Sequence, residues 1–480
     1  MTLRRSLFWS LSQQFGMMVL QITNMVVIAR LLTPEEIGVF IIALSIVTIL
    51  QALREMGLTN YLIHTRRVED STIRAIFGMS ITLCAVLGAG LWLLRHPLET
   101  WMGTPGLAAV LAPVVLVILI FPVEQPAMAL IRREMRFEAL HHITIASKLI
   151  AVSTSIGLAL AGFSTMALVW GMLAEAVVRM VLLAWAEPRH LRLGPSLRGW
   201  GPLLSFGAWT TGASIAGQAT PESSKLLVGA ILGAGPTALF DRAIRIPAMI
   251  RMALFMPLGR VLLSSFSEDL RQGRDIGAKA ERLTTVMSGI VWPSFAVLAV
   301  LSEEVVLLML GPQWTASAQI LPWLLLAQSV LALLPQPDQI LVPFGRVRRL
   351  FALRLFQLAV SLATSVIALQ WGLEVFAMTR TIESSVLIIV AWLAISPYIG
   401  VGIGRLMRSH LRSLMVAAVT VLPVAAWKYA GLGDGSYAVL IGLMILATLL
   451  GLAAMIVLRH PLGEEMLRAR AWLARRRARS

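Results

Sequence analysis

The chain has 480 residues, of which 58% are hydrophobic and 14% charged, yet it carries a formal charge of +16 at neutral pH. That balance excludes an ordinary soluble domain, which holds about a quarter charged residues, and points to a polytopic membrane protein. The sole Cys84 excludes a disulfide framework and a cysteine metal site. The basic charge is explained by topology and by an anionic inner leaflet rather than by nucleic acid.

A bilayer span needs roughly 20 mostly apolar residues. On that measure the chain reads as about fourteen helical spans. They centre near Leu20, Ser45, Leu83, Val117, Ser155, Leu173, Thr211, Ile250, Phe295, Leu326, Thr364, Ile388, Val419 and Ile445. The first segment is too long and too polar for a secretory leader and is read as span one. Its Gln13, Gln14, Gln21, Thr23 and Asn24 are costly inside a membrane, and Gln14, Gln21 and Asn24 share one helical face. That face either meets a wet cavity or glues helices together. Thr33-Pro34-Glu35-Glu36 is a capping box that pins the start of span two. Arg54 and Glu55 close that span; with Arg30 they either face the same cavity as the span-eight arginines or, the reading preferred for Arg54, set topology from the cytoplasm.

Pro122, Glu124 and Pro126 interrupt the end of span four, as Pro335, Pro337 and Asp338 do in span ten. These prolines either bend the helices or end them. Glu175 and Arg179 sit one turn apart in span six, with Arg380 and Glu383 at the matching place in span twelve. Two glutamates at one repeat position are candidate coupling sites, and equally structural ion pairs with their arginines. Span eight holds Asp241, Arg242, Arg245 and Arg251. Asp241 and Arg245 have the spacing of a pair, which leaves Arg242 and Arg251 to face water or an anionic ligand. The other reading is snorkelling at the outer interface. A basic amphipathic tail, with Met466, Leu467, Trp472 and Leu473 among arginines, is expected on the inner leaflet.

The long basic gaps fall at Arg4–Arg5, Arg54–Arg74, Arg132–Arg136, Arg189–Arg198, Arg260–Arg282, Arg346–Arg354, Arg405–Arg412 and Arg459–Arg479. The alternate gaps hold little charge, so both termini are expected in the cytoplasm. Within the chain, Trp9 matches Trp209, Gly103 matches Gly311, Gln125-Pro126 matches Gln336-Pro337 and Glu175 matches Glu383. An ordered set of matches about 200 residues apart predicts two six-span halves related by a parallel pseudo-twofold. The sequence shows no Walker A loop, no His-Glu-x-x-His and no Gly-x-Ser-x-Gly.

A set of strings in fixed order then carries a resemblance. They are Ala29-Arg-Leu-Leu-Thr-Pro-Glu-Glu-Ile-Gly38, Arg54-Glu-Met-Gly-Leu58, Arg132-Arg-Glu-Met-Arg-Phe137, Leu204-Ser-Phe-Gly207, Leu227-Val-Gly229 with Gly233, Asp241-Arg-Ala243 and Gly311-Pro-Gln-Trp314. Over roughly the first 410 residues the chain resembles the Wzx-type oligosaccharide flippases of the colanic-acid-exporter branch, within the superfamily of MATE exporters and lipid II flippases. The resemblance implies an all-α integral membrane fold with a MATE-like V of two lobes, residues 1–200 and 201–412, two further helices over 413–460, and the tail over 461–480. It implies movement of an undecaprenyl-pyrophosphate-linked sugar unit to the outer leaflet, without catalysis or cofactor. The expected partners are that lipid-linked oligosaccharide, membrane lipids, a polysaccharide polymerase and a chain-length regulator, with the transporter a monomer. Arg30, Arg242, Arg245 and Arg251 would line a cationic cavity, with Gln21 and Asn24 beside them. Two positions depart from the family: Ser224, followed by Lys225, stands where an acid is usual, and Phe240 where a tyrosine is usual. The alternatives are a cation-coupled multidrug exporter on the same fold, which needs acids in the cavity, and a membrane glycan polymerase, which needs long periplasmic loops.

Overall fold

The computed structural model describes residues 3–55, 62, 69–251, 276–400, 402–430 and 437–464. The amphipathic tail from 465 onward, the second half of the expected span eight and the Trp209 side chain lie outside the described residues. All regular structure among the described residues is helical. The long helices are α1 (Leu3–Leu31), α2 (Pro34–Glu55), α3 (Asp70–Met102), α4 (Leu107–Arg133), α5 (Phe137–Leu160), α6 (Thr165–Ala186) and α7 (Gly201–Leu232). After α8 (234–251) come α9 (Ile276–Val300), α10 (Thr315–Leu331), α11 (Val347–Ala368), α12 (Leu373–Ile399), α13 (Ile403–Tyr429) and α14 (Tyr437–Val457). Among the described residues, eleven helices are long and apolar enough to cross a membrane; α7, α10 and the described part of α8 are not among them. α10 has only 17 residues, and α8 carries Asp241, Arg242, Arg245 and Arg251.

The predicted capping box forms at the start of α2. Thr33 N–H donates to Glu36 Oε2 at 2.8 Å and Glu36 N–H to Thr33 Oγ1 at 3.3 Å. Each bond satisfies a donor that the first helical turn leaves orphaned. Pro122 and Pro126 do not end a span: both lie inside the continuous α4. In the matching place Pro337 opens a separate short helix, Pro337–Leu341, so the two proline pairs act differently.

The chain divides into two compact units, Met1–Asp241 with Arg354–Leu373, and Arg242–Leu353 with Glu374–Ser480. In the first, α5 packs on α6, α3 on α4, α4 on α6, α1 on α5 and α2 on α7. In the second, α9 packs on α13 and α10, and α13 on α14. Lipid tails are as apolar as leucine, so helix association here rests on close packing rather than on water expulsion. Gly38 shows the requirement: a Cβ there would overlap the Ala234 backbone at the start of α8. The core of the first unit gathers Ile42 and Val47 of α2, Cys84 and Leu91 of α3, Leu111 and Ile118 of α4, and Val169 of α6. Large apolar side chains such as Leu93, Trp185 and Ile382 stay exposed, as a hydrocarbon solvent allows.

Candidate functional site

Three groups of polar side chains sit inside the helices, where each needs a partner or a ligand. The first is in the first unit. Arg179 of α6 joins two acids, with Nε 2.9 Å from Glu124 Oε2 and Nη1 3.3 Å from Glu175 Oε1. Lys148 of α5 adds a second cation, 2.9 Å from Glu175 Oε2. The structure thus brings Glu175 and Arg179 together and draws in Glu124 and Lys148, which the sequence spacing did not connect. Beside them Ser80 Oγ donates to Gln125 Oε1 at 2.9 Å.

Arg54 differs from its sequence reading. It is only 5% exposed, and its guanidinium carbon lies 3.4 Å from the centroid of the Phe121 ring. Its Nε and Nη1 are buried without a hydrogen-bond partner. A topology charge would sit in water, whereas this one is folded between α2 and α4. The aromatic Phe121 ahead of the Pro122–Glu124 stretch was the available signal, since a buried cation favours a ring face.

On α1, Gln14 Nε2 and Asn24 Oδ1 are buried without partners, Gln21 is half-buried, and Arg30 in the last turn is exposed.

The second group surrounds α8. Asp241 is fully buried and Lys225 Nζ lies 3.3 Å from its Oδ1, with Glu222 Oε2 3.0 Å from the same ammonium. Lys225, the residue after the departing Ser224, therefore brings Asp241 a cation from α7. Arg242 is 8% exposed, its guanidinium carbon 5.6 Å from the Trp314 ring centroid. Arg245 is half-buried. Arg251, which the spacing left without a local partner, donates from Nη1 to Gln328 Oε1 of α10 at 2.9 Å. Ser224 is buried, its hydroxyl 3.4 Å from that of Ser361.

The third group is in the second unit. Arg380 Nη1 and Glu383 Oε2 are 2.6 Å apart, and Arg380 stands 4.7 Å over the Phe376 ring. Further along, two buried histidines that sequence reasoning missed are joined through two serines. His410 Nδ1 is 2.8 Å from Ser288 Oγ, the Ser288 and Ser413 hydroxyls are 2.8 Å apart, and Ser413 Oγ is 3.0 Å from His460 Nε2. Leu462 N–H donates to His460 Nδ1 at 3.2 Å, so that nitrogen is an acceptor and the proton of the neutral ring is on Nε2. Burial pushes the His460 imidazole below its ordinary value, and the Arg412 charge adds to that. The ring occupies the space over Gly289, where a Cβ would meet it. Among the described residues no three His, Cys, Asp or Glu side chains converge as metal ligands.

A family model described as polysaccharide biosynthesis protein matches residues 27–319. The succinoglycan biosynthesis transport protein ExoT of Rhizobium meliloti (strain 1021) is 26% identical over 69% of this chain and 67% of its own. The lipopolysaccharide biosynthesis protein WzxC of Escherichia coli (strain K12) is 24% identical over 65% of this chain and 64% of its own. The chain thus spans about two thirds of the length of these curated relatives. Among solved structures, the lipid II flippase MurJ in its inward closed conformation superposes with a TM-score of 0.72 at 12% identity, covering 96% of this chain and 99% of its own. An inward-facing multidrug resistance MATE family transporter superposes with a TM-score of 0.62 at 15% identity, over 80% and 94%. These two likenesses show the fold: an all-α, multi-spanning membrane architecture of the MATE type.

Proposed function

The chain belongs to the polysaccharide biosynthesis protein family, and from that membership we propose that it is a flippase. It moves an undecaprenyl-pyrophosphate-linked oligosaccharide from the cytoplasmic to the periplasmic leaflet for surface or exopolysaccharide synthesis. The names of its relatives, one a succinoglycan transport protein and one a lipopolysaccharide biosynthesis protein, support that class of substrate. The observation that carries the reading is the arginine set on α8, with Arg242 buried and Arg245 half-buried on a helix that holds three arginines and one acid, Asp241.

A pyrophosphate cannot cross hydrocarbon bare, since each unsatisfied polar group costs several kcal/mol there. Guanidinium groups suit it because their planar fork binds oxygens in pairs and stays charged. In this proposal Arg242, Arg245 and Arg251 take the phosphates, Arg30 contributes from α1, and Gln21 and Asn24 meet sugar hydroxyls. Glu175 with Arg179, and Glu383 with Arg380, are structural pairs. Fourteen helices cross the bilayer, residues 1–200 and 201–412 form six-helix lobes that alternate in access, 413–460 add two spans, and both termini are cytoplasmic. An anion leaving the negative cytoplasm gains about 2.3 kcal/mol per charge per 100 mV, so the membrane potential favours export. The protein works as a monomer beside a polymerase and a chain-length regulator.

The test is accumulation of lipid-linked repeat units in cells carrying Arg245→Ala or Arg251→Ala. Accumulation at normal protein level is expected for both. Wild-type flux in both would remove the phosphates from α8.

A further inference from the structure

A cavity of about 650 Å³ opens at the end of the second unit, between residues 278–285 of α9, the first turns of α13 and the segment that follows α14. Among the described residues its wall holds Arg282, Arg405, Arg408 and Arg412 against two acids, Glu281 and Glu464. The spacing of 405, 408 and 412 puts three of these guanidiniums along one side of α13. Two are held in place: Arg405 Nε lies 2.8 Å from Glu281 Oε2, and Arg412 Nη1 donates to the Arg459 carbonyl at 3.1 Å. Arg408 is exposed and has no hydrogen-bonded or ionic partner among the described residues. The hydroxyls of Thr285 and Ser409 complete the lining. The first turn of α13 lies at this end, so its dipole adds to the positive field.

A concentration of guanidiniums with an unengaged member, beside hydroxyl donors, matches a phosphate group. A free phosphate and a lipid headgroup share that chemistry. The neighbouring surface of α13 favours the lipid: Met407, Leu411 and Leu414 form an exposed apolar stripe next to the arginines. A phosphate on Arg408 and Arg412 leaves an attached acyl chain free to lie along that stripe. We propose that this cavity binds the headgroup phosphate of an anionic phospholipid. The site is separate from the α8 arginines and stands whether or not they carry the transported substrate.

Native mass spectrometry of the full chain in detergent, titrated with phosphatidylglycerol and with phosphatidylcholine of the same acyl chains, tests this. The wild type is expected to prefer phosphatidylglycerol. Arg408→Gln should weaken that binding about fivefold, and Arg408→Gln with Arg412→Gln further, each arginine near a lipid headgroup counting about equally. Phosphatidylcholine binding should not change. Arg192→Gln with Arg198→Gln, in another basic gap, should leave phosphatidylglycerol binding intact. Arg408 is exposed and has no partner among the described residues, so its single variant keeps the fold out of the result. Equal affinity for the two lipids, or unchanged binding in both variants, would overturn the proposal. So would displacement of the lipid by millimolar inorganic phosphate or pyrophosphate, which would make the cavity a site for soluble phosphates.

Discussion

Glu175 touches Lys148 at 2.9 Å and Arg179 at 3.3 Å, and Glu383 touches Arg380 at 2.6 Å. A carboxylate that couples transport to a proton has to lose its charge during the cycle. Glu175 gives up that charge only by losing two cationic contacts, which is the physical case for a structural role. Glu175→Gln is therefore expected to keep export, read as absence of accumulated lipid-linked units; accumulation in a protein of normal stability would assign it to coupling. Arg179→Leu should behave differently, because it strands Glu124, whose side chain is 4% exposed. Breaking a buried pair costs about 3–5 kcal/mol, so its unfolding temperature in detergent should fall, and adding Glu124→Leu should recover most of the loss. The Glu175–Arg179 and Arg380–Glu383 contacts were legible from spacing, one turn apart on one helix. The partners from other helices were not. Lys225 meets Asp241 across two helices, and His410 is linked to His460 through Ser288 of α9 and Ser413 of α13; no periodicity in one segment encodes a neighbour in another.

The same division holds for whole elements. The start of α2 was legible because a capping box is complete within four residues. Its outer connection was not: Ser164 Oγ donates to Glu36 Oε1 at 2.5 Å, and Thr165 Oγ1 donates to the Glu36 carbonyl at 2.9 Å. Glu36 thus closes the cap of α2 and anchors the start of α6. Thr33→Ala should cost about 1 kcal/mol, the usual worth of a cap. Glu36→Ala should cost more, and a cycle with Ser164→Ala should give a coupling of roughly 0.5–3 kcal/mol, read from unfolding in detergent. Additive losses would reduce Glu36 to a local cap. For the prolines of α4 the sequence left bending and ending both open, for a related reason. In water a proline interior to a helix leaves a carbonyl unpaired and tends to end it. In a bundle, neighbouring helices, side chains and local adjustment satisfy the freed groups, so α4 runs through Pro113, Pro122 and Pro126 to Arg133.

At the scale of the molecule, each of the fourteen centres falls in a helix, and in eleven of these helices hydropathy over about twenty residues outweighs the single polar side chains. The side of the membrane on which each connection lies rests on the arginine alternation, and the chain supplies a clean test of it. Its sole cysteine, Cys84, is buried in α3, so the native protein gives little background to a thiol probe. The alternation places the α5–α6, α11–α12 and α13–α14 connections outside and the α4–α5 and α6–α7 connections inside. Phe163, Trp371 and Tyr429 are exposed in or beside the first three, and Glu134 and Leu197 in the other two. Phe163→Cys, Trp371→Cys and Tyr429→Cys should therefore react with a membrane-impermeant maleimide in spheroplasts. Glu134→Cys and Leu197→Cys should react only after permeabilisation. The opposite pattern would invert the protein and move both termini outside. A break between Leu197 and Trp371, with Trp371→Cys and Tyr429→Cys protected while Phe163→Cys reacts, would show that one of α7, α8 and α10, which all lie between those two positions, does not cross.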